Sequence, residues 1–425
     1  MNSPAAPALP SRSKYALGVM FALTALNVLD RQVLATLIEP IKRDLQVSDT
    51  AMGLLSGTAF TLFHVASVLP VSRWADRGNR RNIIVLGLFA WSALTAATGL
   101  ARSYAHIFIA RMGVGIGETV GSGPVQSLLS DSFPPERRAA AFSILGSGGV
   151  IGSMLGFAMG GWLAQEFGWR MTFVLFGIPG VLLSALIWFT VREPTRGAFD
   201  GLEETQDESI GACIRYLVAL PSFRHVALAG SLNAAGNYSL LTWAQPFLMR
   251  TYDLPIAEAG FTLAIALSCS TTVGLWTSGF LGDRLGRRDK RWYCFVPAIA
   301  SLLAVPMAIG FLLAPSLPVA ISFLVPAAFL NTMWLGNGSA VVQSLAKPRM
   351  RAVATALNVL ANSGVGYGLG PVVVGALSDR LAPTYGVESL RYALLLAMLP
   401  HAWAALHSFL ASRSYRRDLL AKENS

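Results

Sequence analysis

Charged residues are scarce in this sequence. Asp, Glu, Lys and Arg make up 13% of its 425 residues, while 53% are hydrophobic, and an ordinary soluble domain is about 25% charged. So few charges exclude a soluble globular domain and indicate a membrane protein. The net charge of +10 does not indicate a nucleic-acid binder, because the basic residues fall in short clusters between long apolar runs and not on one surface.

The motifs that mark common enzymes and metal sites are also absent. The three cysteines, Cys213, Cys269 and Cys294, have no metal-ligand spacing and form no disulfide framework. The sequence contains no G-x-x-x-x-G-K-[ST] phosphate loop and no G-x-S-x-G nucleophile motif. We therefore expect no enzymatic activity, no metal site and no cofactor.

Long apolar runs dominate instead. Windows of about 20 residues, the length needed to cross about 30 Å of hydrocarbon, occur twelve times. The predicted spans lie near residues 14–38, 51–72, 82–101, 105–129, 138–164, 171–191, 224–249, 256–281, 292–313, 317–345, 352–377 and 390–411. The predicted fold class is therefore all-α and integral to the membrane, with twelve transmembrane helices.

Lys and Arg are distributed unequally between the two sets of loops. If the N-terminus is cytoplasmic, 24 of them fall on the cytoplasmic side and 7 on the other, with Arg31 and Arg111 inside spans. Cytoplasmic loops are enriched in Lys and Arg, so we expect both termini in the cytoplasm. Short loops suit an integral multi-pass protein of a bacterial inner membrane.

The longest polar interruption, from Arg192 to Pro221, separates six predicted spans from six. We predict an N-terminal six-helix bundle over 1–192, a cytoplasmic linker over 193–221 and a C-terminal six-helix bundle over 222–425. An amphipathic stretch on the membrane surface, around 209–220, is an alternative for part of the linker. The linker carries an acidic run of Asp200, Glu203, Glu204, Asp207 and Glu208.

Two polar loops recur in the two halves. SRWADRGNRR (72–81) follows the second span and GFLGDRLGRR (279–288) follows the eighth. PPERRAAAFSIL (134–145) follows the fourth span and KPRMRAVATAL (347–357) follows the tenth. Matching residues are 207 and 213 positions apart in the two pairs, and two landmarks at nearly one offset indicate duplicated halves.

With these loops the sequence resembles the major facilitator superfamily. It is similar to the spinster branch over about the first 200 residues, in NVLDRQVLATLIEPIKRDLQVSD (27–49), ADRGNRRNII (75–84), ARMGVGIGET (110–119), SDSFPPERRAAAFS (130–143), GWRMTFVLFGIPG (168–180) and VREP (191–194). The resemblance implies two pseudo-symmetric six-helix bundles around a central cavity and an alternating-access cycle without ATP. It also implies an amphiphilic cargo, such as lysophospholipid or sphingoid species.

The recurring loops predict a cytoplasmic gate. Their arginines could simply hold the loops on the cytoplasmic side. Each aspartate would in addition meet the N-terminal end of a helix in the other half, near Arg349 or Pro134, where the helix dipole favours an anion. The predicted gate residues are Asp76, Arg77, Arg80, Arg81, Asp283, Arg284, Arg287 and Arg288.

Four charged residues lie inside predicted spans: Asp30 and Arg31 in the first, Arg111 and Glu118 in the fourth. A charge at mid-membrane costs about 3 kcal/mol or more and normally faces a protein interior or cavity. Arg111 and Glu118, seven residues apart, share one helix face, so a static ion pair is one interpretation. We predict instead that Asp30 and Glu118 carry the coupled proton, with Arg111 tuning them or binding an anionic headgroup.

The second half has no comparable acid, but it has neutral polar residues in its spans. Each could serve helix packing alone; as a set they predict the polar wall of a substrate cavity. His64, in the second span, could likewise be a packed, hydrogen-bonded histidine. The predicted cavity residues are Arg31, Arg111, His64, Asn233, Asn237, Tyr238, Asn331, Trp334, Asn358 and Asn362.

The sequence therefore predicts a proton-coupled secondary transporter of an amphiphilic or lipid-like solute, working as a monomer. Its expected partners are the solute, protons and membrane lipids, without nucleic acid. A proton symporter for a small organic anion and a drug/proton antiporter are the alternatives. A receptor that keeps the fold but does not transport is disfavoured, because the gate motifs are intact.

Overall fold

The computed structural model of the chain describes residues 11–197, 210–347 and 350–423. The acidic run of the predicted linker and Arg349 lie outside the described residues. All regular secondary structure within these ranges is helical. This confirms the all-α prediction for the part of the chain that is described.

Eight α-helices precede the predicted linker. They are α1 (Ser11–Thr36), α2 (Ile38–Leu45), α3 (Asp49–Ser56), α4 (Thr58–Arg77), α5 (Arg80–Thr98), α6 (Tyr104–Gly117), α7 (Gly123–Ser130) and α8 (Pro135–Thr190). The later helices are α9 (Ile210–Ala219), α10 (Pro221–Tyr252), α11 (Ile256–Gly286), α12 (Trp292–Leu313), α13 (Leu317–Asn331), α14 (Met333–Leu345), α15 (Arg351–Asn362), α16 (Gly368–Tyr385), α17 (Ser389–Leu396) and α18 (Leu399–Glu423).

Eight stretches of the described chain are long and apolar enough to cross a membrane. Two of them, Pro135–Thr190 and Val353–Leu420, are 56 and 68 residues long, which is enough for two crossings each. The predicted fourth span is divided between α6 and α7, and the predicted seventh coincides with α10, which carries Asn and Ser inside it. The count of twelve spans stays a prediction.

Several predicted spans are broken where continuous helices were expected. The fourth contains a 3₁₀ turn, Glu118–Gly121, and the eleventh a π turn, Ser363–Tyr367. The second is interrupted at Gly57. Within α8, Gly168 has φ 78° and ψ 164°, a conformation open essentially to glycine alone, so α8 is two helices joined by a sharp bend.

The short helix α9 lies inside the predicted linker, where an amphipathic stretch was the alternative. Its Cys213 and Leu217 are buried in a hydrophobic cluster with residues of α10, α14, α15 and α18, among them Phe223, Val341 and Tyr415. The part of the linker over α9 therefore packs on the C-terminal half.

The hydrophobic core is arranged differently at the two ends of the molecule. We call the end that carries the two recurring loops the loop side and the other end the opposite side. One cluster at the opposite side includes residues of both halves, such as Leu37 and Phe157 with Trp243 and Leu263. Toward the loop side each half has a separate cluster. Among the described residues, the halves therefore share one hydrophobic cluster at the opposite side and have separate clusters, and so stand apart, at the loop side.

Candidate functional site

The four charged residues of the first and fourth spans come together. Arg31 Nε lies 2.7 Å from Glu118 Oε2, and Arg111 Nη1 lies 3.5 Å from Asp30 Oδ2. Asp30, Arg111 and Glu118 are 4%, 2% and 1% exposed. Each acid pairs with a base on the other helix, so the ion pair considered within the fourth span is not formed. We call these four residues the charge cluster.

The charge cluster is not fully satisfied. Glu118 Oε1 and Arg111 Nε are buried and have no hydrogen-bond partner among the described residues. A buried ion pair that only fixes packing stabilises a fold when its remaining donors and acceptors are also paired. Glu118 Oε1 and Arg111 Nε are therefore positions at which the cluster has hydrogen-bonding capacity left.

An aromatic ring lies beneath both arginines. The guanidinium carbons of Arg31 and Arg111 are 4.7 and 5.6 Å from the ring centre of Phe60, where cation–π attraction offsets part of the cost of burying two positive charges. His64 stacks on the same ring at 5.3 Å, and its Nδ1 is 3.2 Å from the Gly115 carbonyl. The sequence offered no signal for Phe60, since one phenylalanine in an apolar span is unremarkable.

The C-terminal half reaches the charge cluster through Tyr367. This tyrosine ends the π turn, and its hydroxyl lies close enough to the Arg31 guanidinium to interact with it electrostatically. Its ring centre lies 3.3 Å from that of Tyr238 on α10. The next residue, Gly368, accepts a 2.8 Å hydrogen bond from Thr58 of the N-terminal half. Single π turns are frequent at functional sites, and this one brings the two halves into contact.

The neutral polar residues do not form one wall. Asn233, Trp334 and Asn358 line a small cavity inside the C-terminal half, whereas Tyr238 belongs to the tyrosine contact described above. Asn331 is 2% exposed, and its amide has no partner among the described residues. Asn237 is half-buried. These neutral residues are therefore divided between the tyrosine contact and the interior of the C-terminal bundle.

The remaining predicted wall residue, Asn362, packs against α10. A Cβ atom built on Gly230 would lie 2.6 Å from Asn362 Oδ1, so the missing side chain of Gly230 makes room for the amide. Four-residue spacing places Asn358 and Asn362 on one face, and that face is the one turned toward α10.

The gate residues of the first half bond within that half. Arg80 is 2% exposed and pairs with Asp131 and Glu193. Arg196 donates to the Ala75 carbonyl, at the end of α4. These contacts hold the first recurring loop, residues 72–81, against the segment that follows α8.

Within the described residues, the expected contact between a gate aspartate and the other half is not found, and its predicted position near Arg349 lies outside them. Asp76 is exposed. Asp283 accepts a 3.0 Å hydrogen bond from Tyr293 in its own half. In the described parts of the chain, none of the hydrogen bonds and ion pairs found links either aspartate to the other half. The reason is the separation of the halves at the loop side. The other gate arginines lie in the same two segments: Arg77 ends α4, Arg81 is in the first turn of α5, Arg284 is in the last turn of α11, and Arg287 and Arg288 follow α11.

A second polar contact, which the sequence did not predict, joins the halves at the opposite side. Arg250 of α10 donates two 2.7 Å hydrogen bonds to Asp49 and one to Glu39. Asp379 accepts from the backbone N–H groups of Asp49 and Thr50, at 3.0 and 2.8 Å, and so caps the start of α3. We call Glu39, Asp49, Arg250 and Asp379 the opposite-side joint.

Glycines allow the backbones to meet at this joint. A Cβ on Gly53 would lie 2.6 Å from the Pro371 carbonyl oxygen, and one on Gly57 would lie 2.7 Å from that of Tyr367. A Cβ on Gly161 would likewise lie 2.6 Å from the carbonyl oxygen of Ile256, which belongs to the other half. Small residues at helix crossings permit this approach. The halves are therefore joined at the opposite side by close backbone packing as well as by charge pairing.

The chain belongs to the Major Facilitator Superfamily, whose sequence model matches residues 20–371. It is accordingly an integral multi-pass membrane protein of a transporter family. The chain is 32% identical over 412 residues to an MFS-type efflux pump of Mycolicibacterium smegmatis, covering 97% of this chain and 95% of that protein. The relationship to the superfamily predicted from the loop motifs is confirmed.

Spinster proteins are also among the relatives. The chain is 26% identical over 437 residues to protein spinster homolog 3 of Danio rerio, covering 97% of this chain and 87% of the relative. A crystal structure of a bacterial homolog to the human lysosomal transporter spinster, in an inward-facing and unoccupied conformation, matches with a TM-score of 0.89 at 29% identity, over 97% of this chain and 99% of the other. The predicted likeness to the spinster branch is confirmed, and it extends beyond the first 200 residues.

Proposed function

We propose that this protein is a proton-coupled secondary active transporter of an amphiphilic, lipid-like solute of the lysophospholipid or sphingoid type, working by alternating access. The observation that carries the proposal is the charge cluster, in which two acids and two arginines pair across helices with positions left open. In this proposal the chain has twelve spans, with bundles over 1–192 and 222–425, a cytoplasmic linker over 193–221 and cytoplasmic termini.

The proton step follows from the pairing. A carboxyl group that gains a proton no longer holds its arginine by charge, so protonating Glu118 releases Arg31. Arg31 is the more accessible of the two arginines, with 26% of its side chain exposed, and it already lies close to Tyr367 of the other half. A released Arg31 can bind an anionic headgroup, which links proton binding to solute binding.

The described conformation represents the inward-facing state in this proposal. Its halves meet at the opposite side through Arg250 and Asp49 and are apart at the loop side. The relative that matches with a TM-score of 0.89 is described as inward-facing. If the recurring loops are cytoplasmic, as the distribution of Lys and Arg favours, the solute path opens to the cytoplasm.

The experiment that tests the function uses the purified full-length protein in liposomes with an imposed pH gradient. Lysophospholipids, sphingoid bases and small organic anions are offered separately. We expect gradient-driven movement of the lipid-like solutes. Movement of organic anions alone would replace the lipid proposal with anion symport.

Two alternatives have their own support. Arg31 and Arg111 lie over one ring, Phe60, and converging arginines also suit a small carboxylate. The Mycolicibacterium smegmatis relative is described as an efflux pump, which favours a drug/proton antiporter. The liposome screen separates these cases by adding cationic drugs to the solutes.

Asp76→Asn is expected to lower the rate of transport about tenfold while leaving the amount of protein in the membrane unchanged. In the state closed at the loop side, the aspartate would sit at the N-terminal end of a helix of the other half, a contact stabilising by up to about 2 kcal/mol. Turnover in liposomes and protein level in the membrane fraction are the measurements. Glu166→Gln, an exposed acid at the opposite side, is the control, and wild-type turnover of Asp76→Asn would contradict the gate.

Tyr367→Phe is expected to reduce proton-driven transport by about tenfold or more, because a polar interaction with a charged group contributes about 1.5–3 kcal/mol. The variant keeps the ring that packs on Tyr238 and loses only the hydroxyl that interacts with Arg31. Tyr104→Phe is the matched control, since that hydroxyl bonds to the Ala51 carbonyl within one half. Equal transport by Tyr367→Phe and the wild type would show that this contact does not couple the halves.

A further inference from the structure

The cavity inside the C-terminal half is separate from the charge cluster. Residues of α10, α12, α14, α15 and α18 line it, and no charged side chain is among the described residues that do so. About 20 Å³ is open to the centre of a water molecule, which is room for about one water or one small functional group. Most of its wall is apolar, as at Val226, Pro297 and Leu335.

One polar group in this wall is held in a single orientation. Asn233 is 1% exposed, and its Oδ1 is 3.0 Å from Ser301 Oγ and 3.0 Å from His401 Nδ1. With both groups donating, the amide oxygen is satisfied twice. Ser301 and His401 are behind Asn233, because neither of them lines the cavity.

His401 cannot easily turn away from this role. It is fully buried, and its ring lies against Gly236, where a Cβ atom would collide with Nε2. Gly236 therefore provides the space that keeps the imidazole next to Asn233. Ser301 and His401 are positioning residues for the amide.

The other end of the amide is unpaired. Asn233 Nδ2 is buried and has no hydrogen-bond partner among the described residues. Asn233 lines the cavity, whereas Ser301 and His401, which hold Oδ1, do not, and this arrangement directs Nδ2 toward the cavity. A buried amide donor without an acceptor is destabilising, so an oxygen atom next to Nδ2 would be stabilising.

We propose that this cavity is a binding subsite for an uncharged hydrogen-bond acceptor, a carbonyl or hydroxyl oxygen, carried on an otherwise apolar part of a ligand. No charged side chain among the described lining residues can pair with an anionic or cationic end there. Assigning the occupant to the transported solute rests on the proposed function. The charge cluster then takes the charged end of an amphiphile and the C-terminal half takes an oxygen on its apolar part.

The first experiment tests the subsite without any assumption about the solute. Acetone labelled with ¹³C at the carbonyl is titrated into the full-length protein in detergent, and the carbonyl resonance is followed by NMR. We expect a saturable downfield shift, with affinity about tenfold weaker in Asn233→Leu. Asn233→Ala removes the amide donor and adds no other, so it should lose the shift as well.

The control is Gln245→Leu, which removes a buried amide of the same helix that does not line the cavity. It should bind acetone as the wild type does. No saturable shift in the wild type, or an equal shift in both Asn233 variants, would overturn the subsite and leave a resident water as the partner of Nδ2.

The second experiment tests the link to the solute. Stearoyl lysophospholipids with one keto oxygen at carbon 6, 9 or 12 are compared with the unsubstituted lipid for binding to the same protein. We expect one isomer to bind about tenfold more tightly, with the gain lost in Asn233→Leu. If no lysolipid binds, the lipid proposal fails while the acetone titration still decides the subsite. If all bind equally, the subsite is not on the solute's path.

Discussion

Asp30→Asn is expected to abolish proton-driven accumulation of the solute. An imposed gradient of about 2 pH units can support about 100-fold accumulation with one coupled proton per solute, since each pH unit corresponds to a factor of about ten. Asparagine cannot take up or release that proton, so the variant should bring the solute only to equal concentrations. Exchange of labelled for unlabelled solute, which needs no net proton movement, should persist. Both are measured in liposomes.

The substitution also removes the partner of Arg111, and breaking a buried pair costs about 3–5 kcal/mol. Thermal unfolding must therefore be measured alongside transport. Asp30→Asn combined with Arg111→Gln removes both charges and separates loss of coupling from loss of stability. Asp44→Asn, an acid paired with Arg170 with 41% of its side chain exposed, is the matched control. Normal accumulation and pH dependence in Asp30→Asn would mean that Asp30 does not carry the proton.

Arg250→Ala is expected to open the opposite side. The substitution leaves the buried carboxylates of Glu39 and Asp49 without the arginine that joins them to the other half. Without the ion pair, the state in which the opposite-side joint is already broken becomes the favoured one. We expect the free-energy difference between the two states to change by about 3 kcal/mol or more, which shifts their population ratio by about 100-fold. Transport should fall, because the protein then returns to the described state only rarely.

The shift can be measured with spin labels on the two halves. Labels at Arg43 and Val387, in a background without native cysteines, report the separation across the opposite side. Arg391→Ala is the control, since Arg391 pairs with Glu388 in its own half. A distance distribution in Arg250→Ala that matches the wild type would show that glycine-mediated packing at Gly53 and Gly57 closes this side without the ion pair.

Much of the fold could be predicted because membrane insertion is a local property of the chain. Apolar runs of sufficient length predicted the spans. The ninth predicted span, 292–313, has the same first and last residues as helix α12, Trp292–Leu313. The recurring loops around Asp76 and Asp283 predicted the family. The breaks at Gly57 and at the π turn were not predicted, because glycine in an apolar run is compatible with a continuous helix.

The site was predicted in part for the same reason. A charge inside a span is costly wherever it lies, so the amino-acid sequence is enough to single out Asp30, Arg31, Arg111 and Glu118. Phe60 carries no charge and could not be recognised in this way. The joint formed by Arg250 was missed because its charged residues lie at span ends, where charges are ordinary.

The sequence by itself determined the class of the protein, a membrane transporter of the Major Facilitator Superfamily with four charges inside its spans. Only the tertiary structure decided which acid pairs with which base and at which side the halves meet. The physical reason is that burial of a charge is set by the apolar residues next to it in the chain, whereas its partner is set by how closely helices cross. Where the two halves meet, the crossing depends on Gly53 and Gly57, whose contacts in the other half are 310 or more residues away in the sequence.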